Sequence, residues 1–320
     1  MTIAIGAYGP RAGQAVFEAL RGAERVSVGS IGGFATFAAI TADGVLLRRE
    51  TQRGGATTLF TAGEYTGVEP PEAIKNAVAA GVISSGPDRP EPLAQFVPAD
   101  EAVGLVTGHR LPQSVGTDGR ALNVAALEGL RLGLSAAAAV ERVLDANPEA
   151  DAGLLAVDLR GGVAARNSAR VQRRYDLGHA RRESKTHGAM VEVLQNLIRP
   201  FPSLAALTAE IALDVMVGEP TAIGSIVVKA GMTVELGPEA LIEVDANDVA
   251  RRLVTTDPLV MKGAHICAPI YAGSPVYRAG GIIGYSRLEP ITELRDGRVV
   301  SLIGQQSVRI DLVAERPARR

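Results

Sequence analysis

Gly29-Ser30-Ile31-Gly32-Gly33-Phe34-Ala35 runs into a β-like stretch that closes at the turn Ala42-Asp43-Gly44. Asp-Gly between two apolar runs is a strong hairpin signal, so the pattern predicts a strand pair over Val28 to Ile40 and Val45 to Glu50. A small hydroxyl residue directly after a glycine at the head of such a strand has two readings. It can be a plain bend into the strand, the commonest use of Gly-Ser. It can also be a self-activating nucleophile: a cut before the residue leaves an α-amine that serves as general base for the neighbouring hydroxyl. Ser30 leads the candidates on that pattern. Thr2 is the second, because loss of Met1 would leave a free amine on a threonine with no self-cleavage.

Outward from that stretch, Thr2 to Tyr8 reads as a first strand and Gly13 to Arg25 as a helix with Val16, Leu20 and Ala23 on one face. Pro70-Pro71 ahead of Glu72 predicts a helix over Glu72 to Ala80, with proline and an acid in its first turn. Ser84 to Pro98 holds four prolines and reads as a loop before a strand over Ala102 to Thr107. Two alanine-rich helices follow, Asn123 to Leu132 and Ser135 to Ala146. They are broken at Gly133-Leu134, and the second is capped by Ser135. Leu154 to Leu159 and Val163 to Arg166 read as another strand pair around Gly161-Gly162.

From Arg160 to Lys185 eight basic residues face only Asp176 and Glu183, which suggests a solvated linker or subunit interface and a domain boundary near residue 180. Beyond it the pattern predicts helices over Gly188 to Leu197 and Leu204 to Val217. A β-rich tail comes next: Ile223 to Lys229, Thr233 to Leu236, Leu241 to Val244, His265 to Tyr271 and Val299 to Val313. Strand pairs with helices between and after them point to an α/β (α+β) fold of sheet layers covered by helices.

Several of these segments resemble, in order, the plant-type asparaginases and isoaspartyl peptidases. The run Gly29 to Gly55, with Thr51 and Gly54-Gly55, is similar to their nucleophile segment. Val103-Gly104-Leu105-Val106-Thr107-Gly108 is similar to their strand ending in Thr-Gly, and Gly129 to Ser135 with Gly153 to Asp158 resembles their helix and late strand. The likeness spans roughly residues 28–170. It implies a four-layer αββα Ntn-hydrolase-like sandwich over residues 1–180, with a mixed α/β half over residues 181–320. It also implies that the Thr107 hydroxyl and the Gly108 N–H stabilise an oxyanion, a role worth a few kcal/mol per donor. The sequence departs from the family pattern at Arg53, where a supporting threonine is expected. Uncharged Ala56 to Phe60 stands where the family carries its substrate-gripping charges.

Composition bounds the remaining possibilities. The chain has 320 residues, 47% apolar and 21% charged, with a net charge of −2. That is enough for one large core or two ordinary ones, and too little positive charge for a whole-protein nucleic-acid or membrane binder. One cysteine, Cys267, excludes an internal disulfide and a thiolate metal cage. The first ten residues lack a basic leader, and a cytoplasmic location is expected. His109, His179, His187 and His265 show no metal spacing, so neither a metal nor another cofactor is expected. His109 follows Thr107-Gly108 and is the histidine placed to reach a cleft, whereas Cys267 beside His265 reads as an inert thiol.

Two hypotheses follow from these residues. The first is a hydrolase acting on the carbon–nitrogen bond of a small-molecule amide, with Ser30 or Thr2 as nucleophile and Thr107 and Gly108 as oxyanion donors. The second is a non-catalytic binding or assembly module on the same scaffold. In either case a homo-oligomer is expected.

Overall fold

The computed structural model describes residues 1–27, 30–86 and 88–316. The fold is mixed α and β, and the chain divides into two compact units, Met1–Gly218 and Glu219–Arg320.

In the first unit the elements run β1 (Thr2–Tyr8), α1 (Ala12–Val26), β2 (Ala35–Ile40), β3 (Leu46–Thr51), the one-turn α2 (Ala56–Leu59), the small hairpin β4 (Thr61–Ala62) and β5 (Tyr65–Thr66), α3 (Glu72–Lys75) and β6 (Ala79–Ser85). Then come β7 (Ala99–Asp100), β8 (Gly104–Arg110), α4 (Leu122–Arg131), α5 (Ala136–Ala146), β9 (Ala152–Asp158), β10 (Val163–Asn167), α6 (Ala169–Gln172), β11 (Leu177–Ser184), β12 (Ala189–Asn196) and α7 (Phe201–Val217). Six strands form one antiparallel sheet in the order β11-β12-β1-β6-β2-β3, and four form a second in the order β10-β9-β8-β7.

Strand alternation decides what each face of the large sheet meets. On one side Ile3, Ile5 and Ala7 of β1, Phe37 of β2 and Val191 and Val193 of β12 pack with Phe17 and Leu20 of α1 and Leu204 and Ala209 of α7. Each large side chain removed from water there contributes about 1.5–3 kcal/mol. On the other side Ala4, Ile40, Ile83 and Leu194 pack with Leu105, Leu155 and Val157 of the small sheet. The opposite face of the small sheet, through Val106, Leu154 and Ala156, packs with Leu127 and Leu130 of α4 and Val140 and Leu144 of α5. The sheets meet closely because β1 and β6 carry glycines there. A Cβ at Gly6 would run into Leu155, and one at Gly81 would come 2.5 Å from Leu105.

Several expectations needed correction. Ser30 does not head a strand, since β2 begins at Ala35, and Ser30 lies in the bend before it. The proposed cut before Ser30 involves Gly29, which with Val28 lies outside the described residues. The helix expected over Glu72 to Ala80 stops at Lys75, and the next segment is β6, a strand held between β1 and β2. Gly188 to Leu197 is not a helix but β12, which pairs with β1 and β11 along its length. Both strands are apolar on two faces and so lack the alternation that identifies a strand in sequence. The boundary expected near residue 180 moves to 218, because β11 and β12 complete the large sheet and α7 packs with α1.

The second unit is almost all strand: β13 (Ala222–Lys229), β14 (Val234–Leu236), β15 (Leu241–Val244), β16 (Ala250–Thr255), β17 (Ala264–Cys267), β18 (Pro275–Arg278), β19 (Gly281–Ser286), β20 (Thr292–Arg295), β21 (Arg298–Ser301) and β22 (Ser307–Val313). Seven of these form one sheet and three another around a core of Ile226, Ile242, Leu253, Val276, Leu294 and Ile310. The single strand expected over Val299 to Val313 is divided into β21 and β22 by the turn at Ile303-Gly304, where both residues have positive φ.

Candidate functional site

Antiparallel pairing builds one end of the first unit from residues far apart in sequence. Thr2, the first residue of β1, lies directly across from Asn196 of β12 on one side and Ser85 of β6 on the other. The bend carrying Ser30 reaches the same end: a Cβ at Gly86 would come 3.2 Å from the Ser30 carbonyl oxygen. Both candidate residues therefore sit where β1 begins and β6 ends. Thr2 shares the parity of Ala4, so its side chain points between the two sheets. Its exposure is 3%, while Met1 stands 42% exposed. Among the described residues, no hydrogen bond engages the Thr2 hydroxyl.

His109 at the end of β8 is fully buried against this corner. Its Nε2 lies 2.6 Å from Asn167 Oδ1 and its Nδ1 lies 3.3 Å from Asn196 Oδ1. Burial pushes its pKa down to about 4, against the smaller upward pull of the two asparagine contacts, so the ring is neutral at physiological pH. The Nδ2 of Asn196 is buried without a partner.

The corner is also electropositive. Burial, then Arg110, Arg89 and Arg174, lower the pKa of the Met1 amine below its ordinary value, against the weaker pull of Asp176. Arg110 pairs with Asp151, and Arg174 with Asp176 at 2.8 and 2.6 Å. Burial alone would raise Asp176, but the Arg174 hydrogen bonds and charge outweigh it and hold the carboxyl below its usual range. Arg89 differs from both. Its backbone is clasped at N–H and C=O by the Gln52 amide, at 3.0 and 2.7 Å, while no partner engages its guanidinium among the described residues.

Other expected site residues lie elsewhere. The Thr107 hydroxyl is fully buried and donates to the Val82 carbonyl at 3.3 Å, over the middle of β1 rather than its first residue, because Val82 pairs with Ile5. Gly108 turns its α-carbon to the Gly153 carbonyl and Pro112, away from β1. One strand period further on, His109 reaches the Thr2 end instead. Thr51 shares a 2.8 Å hydrogen bond with Thr58, and Arg53 forms an exposed ion pair with Asp88. His179 contacts Glu192, His187 contacts Ser184, and His265 contacts the Lys262 carbonyl. Burial raises the Cys267 thiol, as expected of an inert cysteine. No group of three or more His, Cys, Asp or Glu side chains among the described residues could hold a metal ion.

A second polar cluster lies on the helix-covered face at the same end. Glu24 of α1 accepts from the Ala56 N–H at 3.0 Å and lies 3.5 Å from the Ser84 hydroxyl, against Gly55 and Gly32. Burial lifts its pKa to about 7, against the hydrogen bonds from Ala56 and Ser84.

Residues 2–225 match the family model described as Domain of unknown function (DUF6963), and the chain belongs to that family. Residues 231–307 match a second model, Domain of unknown function (DUF7259), which falls within the β-rich unit. Among curated proteins, no sequence matches the chain.

Proposed function

We propose that the first unit is an amide hydrolase with an Ntn-hydrolase-like αββα sandwich, and that Thr2, freed by loss of Met1, is its nucleophile. In this reading the Thr2 amine takes the proton of its own hydroxyl, and Oγ1 attacks the carbonyl of a small amide. The proton passes to the leaving nitrogen as the C–N bond breaks, and water then hydrolyses the acyl ester. The observation that carries the reading is the Thr2 hydroxyl, unengaged among the described residues, at the head of a central strand, next to a Met1 amine whose pKa burial and then Arg110, Arg89 and Arg174 lower. An amine freed on Thr2 would stand among the same arginines, whose charge favours its unprotonated, basic form. Arg89, with its fixed backbone and a guanidinium unpaired among the described residues, supplies positive charge to a developing oxyanion in place of Thr107 and Gly108. The helix–sheet–sheet–helix stacking supports the same assignment. Ser30, in a bend ahead of its strand, becomes the lesser candidate.

A non-catalytic binding or assembly module is the second reading. It is favoured by the commitment of the Thr107 hydroxyl to Val82. Intact-protein mass spectrometry with an electrophilic β-lactone separates the two. The hydrolase predicts loss of Met1 and one label per chain, absent in Thr2→Ala and retained in Ser30→Ala. A chain that keeps Met1, or takes no label, supports the module.

A further inference from the structure

The outer face of the three-stranded sheet in the second unit combines exposed apolar side chains with charges that have no partner. Residues alternate along β17, β20 and β21, so Thr292, Leu294, Val299 and Ser301 turn inward. Ala264, Ile266, Glu293, Arg295, Arg298 and Val300 turn to solvent. No large aliphatic side chain among the described residues is more exposed than Ile266, at 77%, and Val300 stands at 49%. A groove open to solvent runs across the face between Ile266, Glu293, Arg295 and Val300. Single exposed hydrophobics are ordinary; what sets this face apart is the charge around them. Glu293, Arg295 and Arg298 form no side-chain hydrogen bond or ion pair among the described residues, although Glu293 and Arg295 are same-face neighbours on β20. Each of the unit's other described arginines, Arg251, Arg252, Arg278, Arg287, Arg309 and Arg316, holds a side-chain oxygen.

Strand register sets these residues in two rows. Ala264, Arg295 and Arg298 lie side by side in one; Ile266, Glu293 and Val300, the extra residue of the bulge opposite Glu293, form the other. A second copy of the chain can meet this face about a two-fold axis lying in the interface. An axis along β20 sets Glu293 on Glu293 and Arg295 on Arg295, like charges that oppose binding. An axis across the strands, between the rows, sets each Glu293 on the partner's Arg295 and each Ile266 on the partner's Ala264, a large side chain against a small one. Val300 then lies under the aliphatic stem of the partner's Arg298. We propose that the second unit self-associates face to face through β17, β20 and β21 about this crosswise axis, a second copy supplying the counter-charges that Glu293 and Arg295 lack. Three strands about 4.8 Å apart and four residues long cover roughly 200 Å² in plan, well under the ~800 Å² per partner of a stable complex. The association is therefore weak and concentration-dependent.

Sedimentation equilibrium on the full chain between about 1 and about 500 µM tests this. The wild-type mass should rise above that of the 33.3 kDa chain as concentration increases. Glu293→Arg alone and Arg295→Glu alone each set like charges across the interface and should raise the dissociation constant about tenfold or more. Mixed in equal amounts, the two variants should associate as the wild type does, because every facing pair in the mixed dimer is again of opposite sign. Recovery on mixing also shows that neither substitution has unfolded the face. A wild type that stays monomeric throughout overturns the proposal. So does an association that either reversal leaves unchanged, as pairing along the β17 edge or through the first unit would be, and so does a weakening that mixing does not restore.

Discussion

Replacing Glu24 by glutamine should make the protein gain relative stability as pH rises. Glu24 is largely buried, and its pKa lies at about 7 in the fold against 4.5 as the ordinary value. Between those two values the folded chain holds a proton that the unfolded chain has released. Stability therefore falls as pH increases, by 1.36 kcal/mol per unit of pKa difference. The gap amounts to about 3 kcal/mol, absent below the unfolded pKa and fully developed above the folded one. Glutamine keeps an oxygen for the Ala56 N–H and a similar shape against Gly55, but it does not titrate. Urea unfolding followed by circular dichroism, on wild type and Glu24→Gln at pH 5 and pH 8, isolates this group. The variant should gain about 2.5 kcal/mol relative to wild type between the two conditions, because at pH 5 part of the gap has already developed. A stability difference that stays constant with pH would refute the assignment of a buried, proton-holding carboxyl at this position.

Two glycines of α1 make a sharp comparison. A Cβ at Gly13 would run into the Ile74 carbonyl oxygen, which is backbone and cannot yield. Gly13→Ala should cost about 3 kcal/mol or more in thermal unfolding. At Gly22 the obstacle is the Ile211 Cδ1 atom, 2.6 Å away on a flexible side chain. Gly22→Ala should change stability by no more than about 1 kcal/mol, because the gain in helix propensity offsets the repacking. Asp158 accepts from the N–H groups of Ala136, Arg160 and Gly162, joining the start of α5 to the β9–β10 turn. Asp158→Ala should cost about 2–3 kcal/mol and speed amide exchange at Ala136 more than at Leu155 in the middle of β9.

The sequence disclosed elements whose signals are local. β1 showed as a short apolar strand and α1 as a one-faced helix, and α5 was marked by Ser135, whose hydroxyl accepts from the Ala138 N–H at 3.3 Å. β6 and β12 were hidden because their neighbours, not their own residues, make them strands. The Ala-Ala-Gly composition of β6 reflects how near the small sheet comes, and β12 is lined by apolar residues on both faces. Thr2 and His109 could be singled out from their surroundings in the chain. Asn196, Asn167 and Arg89 could not, because strand pairing and the Gln52 clasp alone bring them to one corner.

The placement of β1 constrains how the protein is made. A strand held between β6 and β12 cannot complete its pairing until the residues of β12, nearly two hundred positions later, have left the ribosome. β6 is made early enough to cover one edge of β1, but the edge that β12 will cover stays open to other nascent chains until then, a state in which intermolecular pairing competes with folding. Translation speed and chaperone supply during expression should therefore govern soluble yield.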